Sequence, residues 1–449
     1  MTASDKHNFS KGSLWRIILS QALPMTVAQL IQLLYNIVDR IYIGHMPETG
    51  HLALTGIGFT FPFVTFILAF SKLFSTGGTP LFSIARGEGK EEEAKRIMGN
   101  AFAMVLLTSV ILFLLCYIFR KPVLYLFGAS DTTFPYAESY LKIYLFGTLF
   151  SMTSAGMNGF INAQGFPKTA MMTTVIGAVI NLILDPVFIF GLGLGVKGAA
   201  LATVISQAIS AVWILQFLTG KKAVLPLGLS YIRINLYRTA KITALGITGF
   251  MQQATNCLVQ IVCNITLQNY GGDVYVGIMT IVNSIREVAM LPVTGLTGGA
   301  QPVLGFNYGA KENHRVKEGI RFTSTAGVLY TVVFWAVIMT FPQIFIKIFA
   351  DDAETLLLGV RAVRIYFAGF IFMSFQSVSQ AAFISLGKAK RAVFFSILRK
   401  VVIVCPLTLL LPMFMGLGTD GVFLAEPVSN LLGGLACFLT MYFTLYKKL

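Results

Sequence analysis

Ala170-Met-Met-Thr-Thr-Val-Ile-Gly-Ala-Val-Ile-Asn-Leu-Ile-Leu-Asp-Pro-Val-Phe-Ile-Phe190 is long enough to cross a bilayer, which takes roughly 20 apolar residues. It carries Asp185 and Pro186 in its second half. A charge deep in a span costs at least about 2.5 kcal/mol even on the lenient insertion scale. Pro186 adds a second cost, because it cannot donate to the carbonyl of Leu182 and leaves that acceptor free. A span that tolerates both reads as an ion or substrate site turned towards a polar cavity.

The rest of the chain repeats that apolar character. Its 449 residues are 55% hydrophobic and 12% charged, with a mean hydropathy of +0.75. A soluble domain would carry roughly 25% charged residues. Blocks of 20 to 30 apolar residues alternate with short charged turns, which predicts an all-α polytopic membrane protein. Twelve spans follow, at about 14–44, 52–82, 97–119, 136–162, 169–190, 198–219, 241–269, 275–306, 322–346, 361–386, 392–415 and 421–446. The polar stretch Met1 to Gly12 precedes a segment too long for a signal peptide, so that segment is expected to remain as the first span.

The net charge of +15 belongs to alternate loops. Arg86, Lys90, Lys95 and Arg96 follow the second span, and Lys221, Lys222, Arg233, Arg238 and Lys241 the sixth. Lys311, Arg315, Lys317 and Arg321 follow the eighth, and Lys388, Lys390 and Arg391 the tenth. The loops His45 to His51 and Asn269 to Tyr275 have no Lys or Arg. The basic loops, and with them both termini, are therefore expected on the cytoplasmic side of the inner (plasma) membrane. The charge reports topology; nucleic acid is not an expected partner.

Two halves repeat. Gly77-Gly-Thr-Pro80 with Gly87 is answered by Gly299-Ala-Gln-Pro302 with Gly309, a shift of 222 residues. Lys142-Ile-Tyr144-x-x-Gly147 returns at the same shift as Arg364-Ile-Tyr366-x-x-Gly369. Gly193-x-Gly195-x-x-Gly198-x-x-Leu201-Ala202 returns at a shift of 223 as Gly416-x-Gly418-x-x-Gly421-x-x-Leu424-Ala425. Six spans per half is an even number, so the repeats are parallel: two six-helix bundles around a central cleft, suited to alternating access. The expected organisation is an N-terminal lobe 1–219, a cytoplasmic linker 220–240 and a C-terminal lobe 241–449.

The buried polar chemistry falls in the first half. Tyr35 and Asp39 share a face of the first span, Asn181 and Asp185 a face of the fifth, and Asn158 and Asn162 a face of the fourth. Tyr140 and Thr203 join them from the fourth and sixth spans. In the second half the end of the corresponding span reads Leu411-Pro412-Met413-Phe414, with a proline nearby and no acid. The Asn residues and Tyr140 serve equally well as glue between helices. Asp39 and Arg40 point about 100° apart, a poor geometry for an ion pair. Arg286 and Glu287 in the eighth span are a rival constellation, read as mutual neutralisation. Two carboxylates in one low-dielectric bundle suit a proton or Na⁺ site that a lipophilic cation also attracts, and that competition is antiport.

Gly89-Lys90, Gly220-Lys221 and Gly387-Lys388 lack the rest of a phosphate-binding loop, so ATP is not expected as the energy source. No catalytic triad appears, and an enzyme is not expected. Cys116, Cys257, Cys263, Cys405 and Cys437 lie in apolar segments without metal-ligand spacing and read as packing residues, and His7, His45, His51 and His314 are scattered. No cofactor or metal is expected, apart from a coupling ion, H⁺ or Na⁺.

The run from Asn181 to Thr203, with Gln301-Pro-Val-Leu-Gly-Phe-Asn-Tyr-Gly-Ala310, resembles the multidrug and toxic compound extrusion (MATE) family over nearly the whole chain. That resemblance implies a cation-coupled exporter of small organic cations with a V-shaped cleft, expected to act as a monomer in the bilayer. It is similar to the bacterial branch whose ion site lies in the N-terminal lobe. By that likeness Asp39, Asn181 and Asp185 carry the coupling ion, and Tyr35, Tyr140, Asn158, Asn162 and Thr203 complete the polar pocket. Pro24 and Pro186 mark helices that bend. The other bacterial branch has acids in spans 7 and 10; this chain has none in Thr243 to Asn269 or Phe367 to Ser385. A related alternative is a lipid-linked saccharide flippase of the same superfamily. It calls for cations lining the cleft, and the charged residues within the spans are not expected to form such a set.

Overall fold

The structure is a computed structural model that describes residues 9–46, 50–349 and 353–449. His7, most of the polar tail and positions 47–49 of the first loop lie outside the described residues. The described residues form helices and no strand. In chain order, α1 is Leu14–Gly44, α2 is Gly50–Gly58 continued by Phe61–Gly87, and α3 is Glu91–Leu126. The first turn of α3 holds Glu91, Glu92 and Glu93, which complement the positive end of the helix dipole. α4 joins Phe134–Phe146 to Thr148–Ala163 at Gly147, and α5 is Pro167–Pro186 with a π-helical turn, Val187–Gly191. α6 is Val196–Thr219.

A single helical run, Leu236–Gly309, contains α7 (236–271) and α8 (273–309), which part at Gly272, where φ is 68° and ψ is −165°. That conformation is open to glycine and strained for other residues. α9 is Asn313–Thr340, and α10 is Ala353–Phe367 with Phe370–Ser385, bent by 45°. α11 runs through Ala389–Ile397, the π-helical Leu398–Val404 and Cys405–Leu410, and α12 is Thr419–Thr444.

Among the described residues nine helices are individually long and apolar enough to cross a membrane, or ten with the bent α10. Separating α7 from α8 and counting α4, whose halves of 13 and 16 residues are too short alone, gives twelve spans. Their outer faces are apolar: Leu107, Val110, Leu114 and Ile118 recur along one side of α3 and are each at least half exposed. Water would penalise that stripe by roughly 25 cal/mol per Å², whereas lipid accepts it. The chain is a multi-pass membrane protein.

The helices collect into two compact units. One is built from residues 27–246; the other from Phe9–Thr26 with Ile247–Leu449. The division runs inside α1, two residues beyond Pro24, and inside α7. The repeated glycines account for it. In the first unit a Cβ on Gly77 of α2 would strike the Ile242 carbonyl of α7, and one on Gly246 would strike the Leu73 carbonyl. In the second unit a Cβ on Gly299 of α8 would sit 2.5 Å from the Ala22 nitrogen of α1. Each repeat thus uses a glycine to seat the start of the other repeat's first helix.

The segment after α6 is tied to the first unit. Gln164 Oε1 accepts from the Leu225 amide at 2.9 Å, and Asn100 Oδ1 accepts from the Asn235 amide at 2.6 Å. Arg238 donates twice to Glu93, at 2.9 and 2.7 Å. Tyr231 donates to Glu92 at 2.9 Å, and that carboxylate holds the phenol above its usual range. All five cysteines are free; Cys116, Cys263 and Cys437 are buried, while Cys257 is exposed.

Candidate functional site

In the first unit α5 turns Thr173, Asn181 and Asp185 inward, while Val179, Leu182, Ile183 and Val187 stay outside. Asp185 is 1% exposed and Ile183 is 58% exposed. The carboxylate is therefore held against protein and away from lipid. Pro186 ends the α-helical register, and the chain widens into a π turn in which the Leu192 amide donates to the Val187 carbonyl at 2.8 Å. Such single π turns are frequent at functional sites.

Asn181 Nδ2 donates to Asp185 Oδ1 at 3.3 Å and lies 3.5 Å from Thr203 Oγ1 on α6, which itself donates to the Ala199 carbonyl at 3.0 Å. From α1, half-buried Asp39 comes within electrostatic range of Asp185. Tyr35 and Tyr140 both lie within the field of Asp39, and Tyr140 stacks on Tyr144 with ring centroids 5.9 Å apart. Arg40 leans over the Phe61 ring at 4.7 Å.

The decisive feature is what these groups leave unmatched. Asp39 Oδ1, Asp185 Oδ2 and Asn181 Oδ1 are buried acceptors without a hydrogen-bond donor. Each such oxygen costs about 1–3 kcal/mol. Two neighbouring carboxyls in a low dielectric cannot both be ionised cheaply unless a cation or a proton lies between them. The arrangement accepts H⁺ or a hard cation bound through oxygen. A cleft of about 720 Å³, lined by Met46, Tyr136, Ser139, Ile189, Phe190 and Lys197 among others, opens next to Tyr140 and the end of α5.

Two predicted pocket residues lie elsewhere. Asn158 Nδ2 donates to the Ala170 carbonyl at 3.3 Å, near the start of α5. Fifteen residues separate Ala170 from Asp185, about 22 Å along a helix. Asn162 lies a further turn along α4, buried with its Oδ1 unmatched. Both residues belong to the far end of the first unit.

The second unit holds a group that the sequence reading missed. Arg399, Lys400, Glu426 and Asn430 are all buried. Arg399 Nη2 donates to Glu426 Oε1 at 2.9 Å, and Nη1 donates to Asn430 Oδ1 at 2.5 Å. Lys400 Nζ donates to Glu426 at 2.9 and 3.3 Å. Arg286 lies within the field of Tyr366 and Glu426, while its neighbour Glu287 is exposed. The expected Arg286–Glu287 neutralisation therefore gives way to a larger cluster, and the expectation that embedded cations do not gather is corrected. The signal was present: Arg399-Lys400 lies inside a span, and Glu426 directly follows the repeated Leu424-Ala425.

Comparison with known proteins agrees with this architecture. A family model described as MatE matches residues 24–187 and again 249–410, so each half is matched once. The multidrug export protein MepA of Staphylococcus saprophyticus is 25% identical over 439 residues, which cover 97% of this chain and 95% of that protein. Among solved structures, an outward-facing multidrug resistance MATE family transporter of the MOP superfamily aligns with a TM-score of 0.91 at 21% identity, covering 100% of this chain and 99% of that one. A MATE protein in a bent conformation aligns with a TM-score of 0.92, also at 21% identity and with the same coverage. These likenesses in structure carry the fold.

Proposed function

The chain belongs to the MatE family, and from that premise we propose that it exports small organic cations in exchange for an inward-moving H⁺ or Na⁺. The observation that carries the proposal is the set of three unmatched buried oxygens on Asp39, Asp185 and Asn181. They supply acceptors, which suit a bound cation or, between the two carboxyls, a shared proton. A lipophilic organic cation drawn to the same negative potential competes with the coupling ion, and binding of one then releases the other. Tyr35, Tyr140 and Thr203 orient the pocket. MepA, a relative named for multidrug export, supports the substrate class.

Transport requires an ion that binds the inward- and outward-open states unequally. α1 is suited to transmit that difference. Asp39 sits on its later part, in the first unit, while its start up to Thr26 packs in the second, with Pro24 just before the division. Bending at Pro24 links the charge state of the carboxyl pair to alternating access between an N-terminal lobe 1–219 and a C-terminal lobe 241–449. The basic loops after α2, α6, α8 and α10 support a cytoplasmic position at the plasma membrane for both termini and the linker 220–240. The protein acts as a monomer, without ATP. The test imposes a pH gradient and a Na⁺ gradient separately on proteoliposomes and follows a fluorescent cation. Export driven by neither gradient would overturn the reading.

A further inference from the structure

The second unit repeats the pocket of the first with its polarity reversed. Glu426 stands in the repeat where Thr203 stands in the first half, and Tyr366 stands where Tyr144 does. Around Glu426 lie three cations: Arg399 and Lys400, which bond to it, and Arg286 nearby. Glu287 is the other acid that acts on Arg286, and it is exposed. A guanidinium stays charged in a protein, so Arg286 and Arg399 outnumber the buried acid even if Lys400 is neutral. The unmatched atoms are mirror images too. In the first pocket they are acceptors, on Asp39, Asn181 and Asp185, whereas in this cluster the unmatched atom is a donor, Nε of Arg399, on a side chain 4% exposed.

Excess positive charge of this kind is costly in a membrane interior without an anion. The guanidinium fork matches carboxylate and phosphate, and its Nε–H is one of the donors such groups fill. Lys400 and Arg399 sit on the π-helical stretch of α11, a local departure from α-helix common at functional sites. Nothing in the first pocket uses these residues. We propose that Arg286, Arg399 and Lys400 form a binding site for one oxyanion, a carboxylate or phosphate group, which takes over part of the hydrogen bonding that Glu426 now receives. The group belongs either to a small organic anion or to a lipid headgroup.

Titration calorimetry on the full-length chain in phosphatidylcholine nanodiscs, with benzoate as probe and neutral benzamide as control, tests this. The expected result is saturable binding of benzoate alone. Arg286→Gln should weaken it about tenfold, the loss of one charge-assisted contact. Glu426→Gln, which removes the competing acid, should tighten it by a similar factor. A parallel arm replaces part of the lipid with phosphatidylglycerol: suppression of benzoate binding there assigns the site to a headgroup, and unchanged binding assigns it to a soluble anion. Arg399→Gln removes the unmatched donor itself; should that variant fail to fold, Arg286→Gln and Glu426→Gln still decide. Absence of saturable benzoate binding together with no preferential retention of phosphatidylglycerol overturns the proposal. So does binding that neither of the two variants moves.

Discussion

Replacing Asp185 by Asn isolates the coupling ion from the rest of the fold. Asn keeps the shape of the side chain, and its Nδ2 can donate to the Asp39 carboxyl, so the variant should fold. What it removes is one of the three unmatched oxygens and one of the two negative charges that a cation would meet. An ion that binds only the folded protein adds about 2.7 kcal/mol at a hundred times its Kd. That lies within the cost of two or three unmatched acceptors at about 1–3 kcal/mol each. If a proton is the ion, the gain is at most about 1.4 kcal/mol per pH unit for each proton taken up. At roughly 2 °C or less per kcal/mol for a large chain, the melting temperature should shift by about 3–5 °C. Melting in detergent, followed by loss of the monodisperse peak, should rise for the wild type with Na⁺ or with acid, whichever ion is used. Asp185→Asn should be flat to that ion. An equal response in both proteins, or a wild type indifferent to both ions, refutes the reasoning.

Four further outcomes follow from the geometry. Asn181→Leu should abolish export, because it removes the amide that bonds Asp185 and lies beside Thr203; Asn158→Leu should cost about 1 kcal/mol of stability and spare transport, measurable by melting and by efflux from cells. Gly246→Ala should drive a methyl into the Leu73 carbonyl and lower the yield of folded protein, at a cost of roughly 1–3 kcal/mol or more. Glu287→Gln, at an exposed position, should leave the melting temperature within about 1 °C and export intact, since an exposed substitution stays within about 0.5 kcal/mol.

Much of this is legible in the sequence alone. Asp185, Asn181, Tyr35 and Asp39 follow from helical spacing and the cost of charge in lipid, and the structure brings them together with Tyr140 and Thr203. Asn158 and Asn162 share the same spacing rule, yet lie far along the fourth span. Periodicity reports the face of a helix; the depth at which two helices meet depends on their crossing. The start of α1 belongs to the second unit for a related reason, because the contact of Ala22 with Gly299 joins residues nearly 280 positions apart. Arg399 and Lys400 escaped notice because long basic side chains within spans can snorkel to an interface. Only the buried position of Glu426 between them reveals an ion cluster.

The most direct test of the carboxyl pair as the coupling site is uptake into inside-out vesicles energised by a single imposed ion gradient. A fluorescent organic cation should accumulate with the wild type and with Glu287→Gln. Asp39→Asn and Asp185→Asn should reduce accumulation to the level of empty vesicles while inserting in normal amount. Full accumulation by either Asp variant, with loss in Glu287→Gln, contradicts the account and moves the site to α8.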